Sequence, residues 1–470
     1  MIFAKGEEKM RKTVLVSIIV LALMLVTMVP LPAMTEPPPE VRSLAFNALP
    51  VKEELVNAVH FEVAGGETED PTPFWVDIVD AENSDGGEEI YVAVLDTGLL
   101  EWWEFFFTNP ITGECRIKDE WGKGFTHDIW WDDTINNIVI GPLRDDRGFI
   151  THPWGSGHGT HVTSTIIGYR FSTSTADMWI RGVAPKVWII PVLVLDYWEV
   201  ELPDGSVLQL GGGTDEMVAA GIYYVAELAD TYGIKIIINM SLGGSEPAPL
   251  IEDAINYAIS KGVIVVAAAG NSGLEGMDWP GAYPQVISAA AGGWTEQWIT
   301  KPPQTRWWLN DVPEKLNTVD YWGNNWQIYL EEFSSRPNPE LGQFWKDLDV
   351  CTPGASIVGP YQRAFDPGSI GYYYLWGTSM ATPHVSAIAA LVAEQHPYFN
   401  QFDMEWTLKM AAVRIPLASD GAYILDPWGF WDYKWNDHDY GSGWLQADNA
   451  FFAAFVYTRA KLKLKTCIPI

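Results

Sequence analysis

From residue 90 onward, short apolar segments alternate with segments in which apolar residues recur at helical spacing. Four apolar segments have the length of a strand buried on both faces: residues 90–95, 187–195, 234–240 and 263–269. Helices are predicted over residues 215–229 and 251–260, and Gly233 and Gly262 stand where these helices should end. This alternation favours a mainly parallel sheet with helices on both faces. The expected fold class is therefore α/β, as three αβα layers.

Two segments interrupt the alternation, at about residues 99–149 and 294–332. Both are rich in tryptophan, a large side chain that anchors loops by packing. We interpret them as long loop insertions held by aromatic packing rather than as direct substrate contacts. Their tryptophans are Trp102, Trp103, Trp121, Trp130 and Trp131 in the first, and Trp294, Trp298, Trp307, Trp308, Trp322 and Trp326 in the second.

The chain has 470 residues, of which 48% are hydrophobic and 19% charged. This length allows one large domain with insertions, or two domains. The formal net charge of −31 argues against a nucleic-acid partner, because phosphates require a surface rich in Lys and Arg.

The first residues are typical of a secretory signal peptide. Lys9, Arg11 and Lys12 precede an apolar run over residues 14–29, and small residues including Ala33 follow. The run is shorter than the roughly twenty residues of a membrane span. We predict a signal peptide over residues 1–34 and a secreted, extracellular protein. An uncleaved N-terminal anchor that keeps the protein at the cell surface is the alternative.

Residues 35–89 are rich in Asp and Glu and contain three consecutive prolines from Pro37. This composition predicts an extension with little core of its own, either a propeptide or a solvated arm. The main domain is expected over residues 90–455, followed by a C-terminal tail over residues 456–470.

The three cysteines, Cys115, Cys351 and Cys467, are too few for a disulfide framework. They allow one bridge and leave one thiol. No cysteine and histidine cluster in the sequence indicates structural zinc.

Asp96 and His158 are the first candidates for a chemical role. Asp96 follows a predicted strand, and ligand and catalytic sites in open parallel sheets lie beyond the carboxyl ends of strands. His158 has Gly157 and Gly159 on either side and begins a helix of small and apolar residues. Glycines let a substrate approach the imidazole closely, which favours catalysis over a buried structural role.

Ser379 stands among small residues at the predicted start of a helix. A nucleophile there benefits from the positive end of the helix dipole, but its hydroxyl needs a neighbouring base. Asn271 follows the predicted strand at residues 263–269 and offers a side-chain amide for an oxyanion, with the backbone N–H of Ser379 as second donor.

Together these motifs resemble a subtilisin-like serine peptidase of the subtilase family, in the order Asp, His, Asn, Ser. The resemblance covers roughly residues 88–455. The motifs are Val94-Leu95-Asp96-Thr97-Gly98, His158-Gly159-Thr160-His161-Val162, Ser241-Leu242-Gly243-Gly244, Ala269-Gly270-Asn271 and Gly377-Thr378-Ser379-Met380-Ala381-Thr382-Pro383-His384.

The resemblance implies a subtilisin-like fold and a serine endopeptidase that works through an acyl-enzyme. Ser379 would attack the scissile carbonyl, His158 would be the general base and acid, and Asp96 would orient the imidazole. Asn271 would stabilise the oxyanion. Two further segments would bind substrate, the first by pairing with it as a strand and the second as one wall of the pocket for the side chain before the cut: Ser241, Leu242 and Gly243, and Ala267, Ala268, Ala269 and Gly270.

The same resemblance implies protein or peptide substrates, the chain's own propeptide as a further partner, and no cofactor for the chemistry. Structural Ca²⁺ is compatible with the family, but the long insertion after Asp96 prevents any assignment of its ligands. The metal-ligand set is therefore unknown from the sequence.

Three other interpretations fit parts of the sequence. Asp96-Thr97-Gly98 also occurs in aspartic peptidases, but a single chain of that class needs a second such triplet, and none is present. His158 and His161 are three residues apart, whereas the zinc peptidase pattern needs four and a glutamate. His161 and His384 are therefore expected to pack beside the site. A non-catalytic binding protein on the same scaffold should have lost one of the four polar residues.

Overall fold

The computed structural model describes residues 50–56, 72–84, 86–174, 176–294, 328–414, 422–425 and 432–467. The predicted signal peptide at residues 1–34 and most of the second insertion, residues 295–327, lie outside the described residues.

The strands are, in chain order, β1 (Lys52–Leu55), β2 (Ile90–Asp96), β3 (Lys123–Gly124), β4 (Thr126–Asp132), β5 (Asn137–Arg144), β6 (Gly168–Ser172), β7 (Asp177–Arg181), β8 (Trp188–Leu193), β9 (Asp196–Glu201), β10 (Val207–Gly212), β11 (Lys235–Met240), β12 (Ile264–Ala268), β13 (Ile287–Trp294), β14 (Ile328–Leu330), β15 (Val350–Pro353), β16 (Ile357–Tyr361), β17 (Gly371–Trp376), β18 (Ala422–Leu425) and β19 (Asp432–Trp435). The α-helices are α1 (Phe74–Asp77), α2 (Trp103–Phe107), α3 (His158–Ile167), α4 (Asp215–Tyr232), α5 (Pro249–Ser260), α6 (Thr378–Gln395), α7 (Gln401–Ala411) and α8 (Ala447–Cys467).

The central sheet has eight strands in the order β14-β13-β12-β11-β2-β8-β3, with β15 also paired to β13. Every pairing in it is parallel except that of β14 with β13. The four predicted strands correspond to β2, β8, β11 and β12, and β2 is in the middle of the sheet. The prediction of a mainly parallel sheet is confirmed.

Helices cover both faces of this sheet. The helices α3 and α6 contact each other, and α6 also contacts β2, β11, β12 and β13. The amphipathic helices α4 and α5 form a second pair, which contacts β2, β11 and β12. The helix α4 ends at Gly233, whose left-handed conformation (φ 64°) confirms the predicted stop. The result is the expected three-layer α/β fold.

Residues 72–84 of the predicted acidic extension pack on the core of the main domain and do not form a core of their own. Phe74, Trp75 and Val76 in α1 are buried, and the Phe74 ring stacks on Trp294 with centroids 5.5 Å apart. The indole N–H of Trp444 donates to the Ile78 carbonyl at 3.0 Å. Acidic residues dominate the composition of the extension, and they conceal this short apolar segment.

The first insertion is more ordered than the expected loop. The strands β4 and β5 form an antiparallel hairpin, and β3 pairs with β8 at the edge of the central sheet. The expectation of aromatic packing holds for Trp121, whose ring lies 5.2 Å from Tyr91 and 4.9 Å from Tyr232. Trp102, in contrast, is 61% exposed.

Cys115 and Cys351 are both free thiols, and Cys351 is fully buried in β15. The side chain of Cys467 lies outside the described part of the chain. Among the described residues, no helix is long and apolar enough to cross a membrane.

Candidate active site

The polar residues singled out in the sequence meet at one edge of the central sheet. Asp96 is the last residue of β2, Ser241 directly follows β11, and Asn271 comes three residues after β12. Because these strands are parallel neighbours, their carboxyl ends share one edge. The helices α3 and α6, which begin at His158 and Thr378, bring the imidazole and the Ser379 hydroxyl to the same edge.

Asp96 and His158 form a fully buried pair. The Nδ1 atom of His158 lies 2.9 Å from Oδ1 and 3.0 Å from Oδ2 of Asp96, and both side chains have 0% exposure. A carboxylate can only accept, so Nδ1 carries the proton and Nε2 presents its lone pair. The His158 Nε2 atom has no hydrogen-bond partner among the described residues. Nε2 of His158 is therefore a buried base that accepts no hydrogen bond from the described residues.

Thr97 and the glycines around His158 fix the position of this pair. The Thr97 hydroxyl donates to the Ser156 carbonyl at 2.9 Å and accepts the Gly159 N–H at 3.0 Å. A Cβ added to Gly159 would lie 2.4 Å from the Gly98 carbonyl oxygen and 3.2 Å from Oδ1 of Asp96. The start of the helix can approach the carboxylate this closely only because residue 159 has no side chain.

Ser379 is buried in the first turn of α6, as predicted. Its hydroxyl donates to the Ser241 carbonyl at 2.9 Å and does not hydrogen bond to His158. The expected bond between nucleophile and base is therefore not formed in this state. Such bonds are often poorly aligned in free enzymes and form when substrate binds.

A buried polar network lies behind Ser379. The Ser241 hydroxyl donates to the Ser379 carbonyl at 2.8 Å and accepts from the Asn239 side-chain amide at 3.0 Å. The Ser386 hydroxyl in turn donates to the side-chain oxygen Oδ1 of Asn239 at 2.8 Å. This network ties the end of β11 to the helix α6. Asn239 was not identified from the sequence, although a polar residue inside an otherwise apolar strand was a usable signal.

Asn271 is oriented by Thr378. Its Oδ1 accepts the Thr378 N–H at 2.9 Å and the Thr378 hydroxyl at 3.0 Å, which leaves the Nδ2 amide as a donor. A Cβ placed on Gly377 would be 3.7 Å from the backbone nitrogen of Ser379 and 3.8 Å from Nδ2 of Asn271. The nitrogen atoms of the two donors expected for an oxyanion therefore both lie beside Gly377.

A third segment, residues 278–279, lies beside the two predicted substrate segments and was not identified from the sequence. Gly244 pairs with Trp279 through two backbone hydrogen bonds of 2.9 Å, and the Asp278 N–H donates to the Ala269 carbonyl at 2.8 Å. The side chain of Asp278 thus lies beside both segments, against Gly243 and Gly270. Ala267 and Ala269 belong to the hydrophobic core, and Ala268 and Leu242 are also buried. Nothing in the local sequence pattern marks Asp278.

His161 and His384 are buried beside the site, as expected. The Nε2 of His161 lies 3.1 Å from the Ile357 carbonyl oxygen, and Nδ1 of His384 donates to the Met380 carbonyl at 2.9 Å. Burial lowers the pKa of each imidazole to about 3, so both are neutral at ordinary pH. In the described part of the chain, no group of three or more His, Cys, Asp or Glu residues could hold a metal ion.

Acid should destabilise the fold through these two histidines. Unfolded histidine binds a proton below about pH 6.5, whereas His384 in the folded state does so only near pH 3. Stability contributed by His384 is therefore present above pH 6.5 and is lost as pH falls towards 3. Between pH 6.5 and 5 this loss is about 2 kcal/mol. Denaturant unfolding of the Ser379→Ala protein, which cannot digest itself, measures it.

The matched comparison is the same protein with His384→Gln added, because glutamine does not titrate. Its free energy of unfolding should fall about 2 kcal/mol less over this pH range than that of the single variant. Equal losses in the two proteins would contradict a neutral, buried His384.

Comparison with known proteins finds similarity to the subtilases. The model of the subtilase family matches residues 87–443. A subtilisin from Bacillus sp. (strain TA39) is 30% identical over 345 residues, which is 71% of this chain and 63% of the relative. Thermitase from Thermoactinomyces vulgaris is 33% identical over 241 residues, 51% of this chain and 62% of the relative. The chain thus spans less than two thirds of the length of these two relatives.

A further relative and one solved structure are also similar to this chain. Subtilisin Savinase from Lederbergia lenta is 31% identical over 261 residues, 56% of this chain and 72% of the relative. The structure of sphericase superposes with a TM-score of 0.51 at 27% identity and covers 80% of this chain and 97% of sphericase.

Proposed function

The chain belongs to the subtilase family, and on that premise we propose that it is a serine endopeptidase that cleaves proteins through an acyl-enzyme on Ser379. The observation that carries the proposal is the buried Asp96–His158 pair, whose free Nε2 shares one sheet edge with Ser379 and Asn271. A weak hydroxyl nucleophile needs such a base.

In the proposed reaction the Ser379 hydroxyl transfers its proton to Nε2 of His158 as its oxygen attacks the scissile carbonyl. Asp96 holds Nδ1–H and stabilises the imidazolium that forms. His158 then protonates the leaving amine, and the acyl group stays on Ser379 until water attacks it. The same base activates that water.

Substrate binding would bring Ser379 and His158 together. In the free protein the Ser379 hydroxyl is held by the Ser241 carbonyl at 2.9 Å. A substrate that pairs as a strand with Ser241, Leu242 and Gly243 would bring a backbone N–H to compete for that carbonyl. The displaced hydroxyl then turns to His158 Nε2, the buried acceptor that lacks a partner in the described structure.

Asn271 supports the second half of the proposal, stabilisation of the oxyanion. Its Nδ2 atom and the backbone nitrogen of Ser379 both lie beside Gly377. Donors that are already oriented before charge develops act most strongly in a site with little water.

Replacing Asn271 by aspartate is expected to lower kcat by about 10²–10³, the size known for loss of this donor in subtilisin, a relative of this chain. Aspartate keeps the acceptor for Thr378 and removes the donor. Its negative charge also opposes the oxyanion, so a loss at the upper end of this range is expected. Initial rates on a chromogenic peptide would give kcat and KM, with KM expected to change little. If kcat is unchanged in the aspartate variant, Asn271 is not an oxyanion donor.

The N-terminal segments are proposed to serve secretion and maturation. Residues 1–34 would be a signal peptide that directs secretion, and a propeptide would lie within residues 35–89. Removal of the whole of 35–89 would extract Phe74 and Trp75 from the core, so we place any maturation cut before residue 72. The peptidase domain would then continue to about residue 455, with residues 456–470 as its tail.

Protein and peptide substrates and the chain's own propeptide are the proposed partners. The proposed reaction uses only amino-acid side chains and backbone amides. Structural Ca²⁺ remains a proposal without assigned ligands.

Incubation of the secreted protein with unfolded casein tests the proposal. Mass spectrometry should find internal cuts, each with one new N-terminus, and a fluorophosphonate should abolish them while a chelator added during the assay does not. Cleavage that survives the fluorophosphonate, or no cleavage by fully processed protein, would contradict the proposed function. The alternative of a non-catalytic binding protein has no support, because none of the four polar residues has been lost.

A further inference from the structure

A carboxylate lies between the two segments proposed to bind substrate. A Cβ added to Gly270 would be 2.6 Å from Oδ2 of Asp278, and one added to Gly243 would be 3.1 Å from the same oxygen. Both positions lack a side chain, so the carboxyl group of Asp278 occupies the space between them. Gly243 is two residues from Ser241, and Gly270 directly precedes Asn271.

The backbone of Asp278 has a structural role, but its side chain does not. The backbone N–H donates to the Ala269 carbonyl at 2.8 Å, a bond that any residue except proline could make. The carboxylate has no hydrogen-bond or ion-pair partner among the described residues, and it is partly exposed rather than sealed in the core. A neutral side chain would fill this place without the cost of desolvating a charge.

Burial raises the pKa of the Asp278 carboxyl to about 6, and desolvation is its only cause. The group is therefore ionised at neutral pH but lacks compensation for its charge. A cationic group of a substrate bound between the two segments would supply the missing partner.

We propose that Asp278 makes the substrate side-chain pocket, of which residues 267–270 are the proposed wall, selective for lysine or arginine at the residue before the scissile bond. This inference rests on the proposed endopeptidase function and specifies its substrate class. An ammonium or guanidinium group can donate charge-assisted hydrogen bonds to a carboxylate that lies between two glycines. An apolar side chain would instead cover the carboxylate and leave its charge unpaired, which is costly.

Peptides that differ only in the residue before the cut test this directly on the parent protein. We expect kcat/KM at pH 8 to be on the order of 10²-fold higher for Lys and Arg than for Leu and Phe, and lowest for Glu. Equal or higher kcat/KM for Leu or Phe would overturn the inference.

Asp278→Asn keeps the shape and removes the charge. Its ratio of kcat/KM for the Lys peptide to that for the Leu peptide should fall by on the order of 10² relative to the parent. Glu275→Gln is the matched control, because Glu275 is an exposed acid on the same loop, and it should leave the ratio at the parental value. Circular dichroism and thermal unfolding establish that both variants are folded.

The outcomes separate this inference from the proposed function. If no peptide is cut and a fluorophosphonate does not label Ser379, both proposals fail. If peptides are cut and Ser379 is labelled, but neutral residues are preferred or Asp278→Asn keeps the basic preference, only the role of Asp278 is wrong.

Discussion

Replacement of Ser379 by alanine is expected to lower kcat for peptide hydrolysis by about 10⁶, the loss known for the nucleophile of subtilisin, a relative of this chain. The reason is that no other group can form the acyl-enzyme. His158 Nε2, Asn271 and the binding segments remain, so substrate should bind with little change in affinity. Hydrolysis of a chromogenic peptide, followed over hours with concentrated protein, can detect rates low enough to measure a loss of about 10⁶.

Ser272→Ala is the control for this variant. Ser272 is an exposed serine next to Asn271, and no described hydrogen bond uses its hydroxyl. Its kcat should stay within a few-fold of the parental value. Hydrolysis by Ser379→Ala above about a thousandth of the parental rate would show that another residue is the nucleophile.

The second large effect is expected from Asp96→Asn, with a loss in kcat of about 10⁴. The carboxylate of Asp96 accepts from Nδ1 of His158 at 2.9 Å and from the Thr97 N–H at 2.7 Å. An asparagine that keeps its oxygen at the Oδ1 position for the Thr97 bond places its NH₂ group at the Oδ2 position, which lies 3.0 Å from Nδ1 of His158. His158 then favours the tautomer with its proton on Nε2, which cannot accept the serine proton.

Steady-state kinetics should place the effect of Asp96→Asn in kcat rather than KM, because the substituted side chain is buried away from substrate. Reaction of Ser379 with a fluorophosphonate should slow in parallel. An Asp96→Asn protein with kcat within tenfold of the parent would mean that the buried pair does not activate the nucleophile.

Much of the fold could be predicted because its central strands are distinctive in sequence. A strand buried on both faces is mainly apolar, and β2, β8, β11 and β12 are apolar apart from Asp96 in β2 and Lys235 and Asn239 in β11. Their alternation with helices leaves a parallel sheet as the simplest arrangement, and the edge where its strands end locates Asp96 and Asn271.

Two features of the fold could not be predicted from composition or from local sequence. The acidic composition of residues 35–89 gave no sign of five apolar residues that are buried in the core: Phe74, Trp75, Val76, Ile78 and Val79. The hairpin in the first insertion was not predicted, because cross-strand pairing depends on partners that local sequence does not specify.

The site was predictable where motifs are contiguous and was not where they depend on tertiary contact. Asp96, His158, Asn271 and Ser379 each occur in a recognisable sequence context. Asp278 does not, because its position depends on backbone bonds to Gly244 and Ala269 formed only in the folded chain. The hydrogen bond from the Ser379 hydroxyl to Ser241 likewise depends on a side-chain rotamer, which sequence does not define.

Labelling with a fluorophosphonate tests most directly the claim that His158 activates Ser379. We predict one adduct per molecule, located on Ser379 by peptide mapping, formed at a rate that falls at least 10³-fold in His158→Ala. An adduct on another residue, no adduct on folded protein, or an equal rate in His158→Ala would contradict this claim.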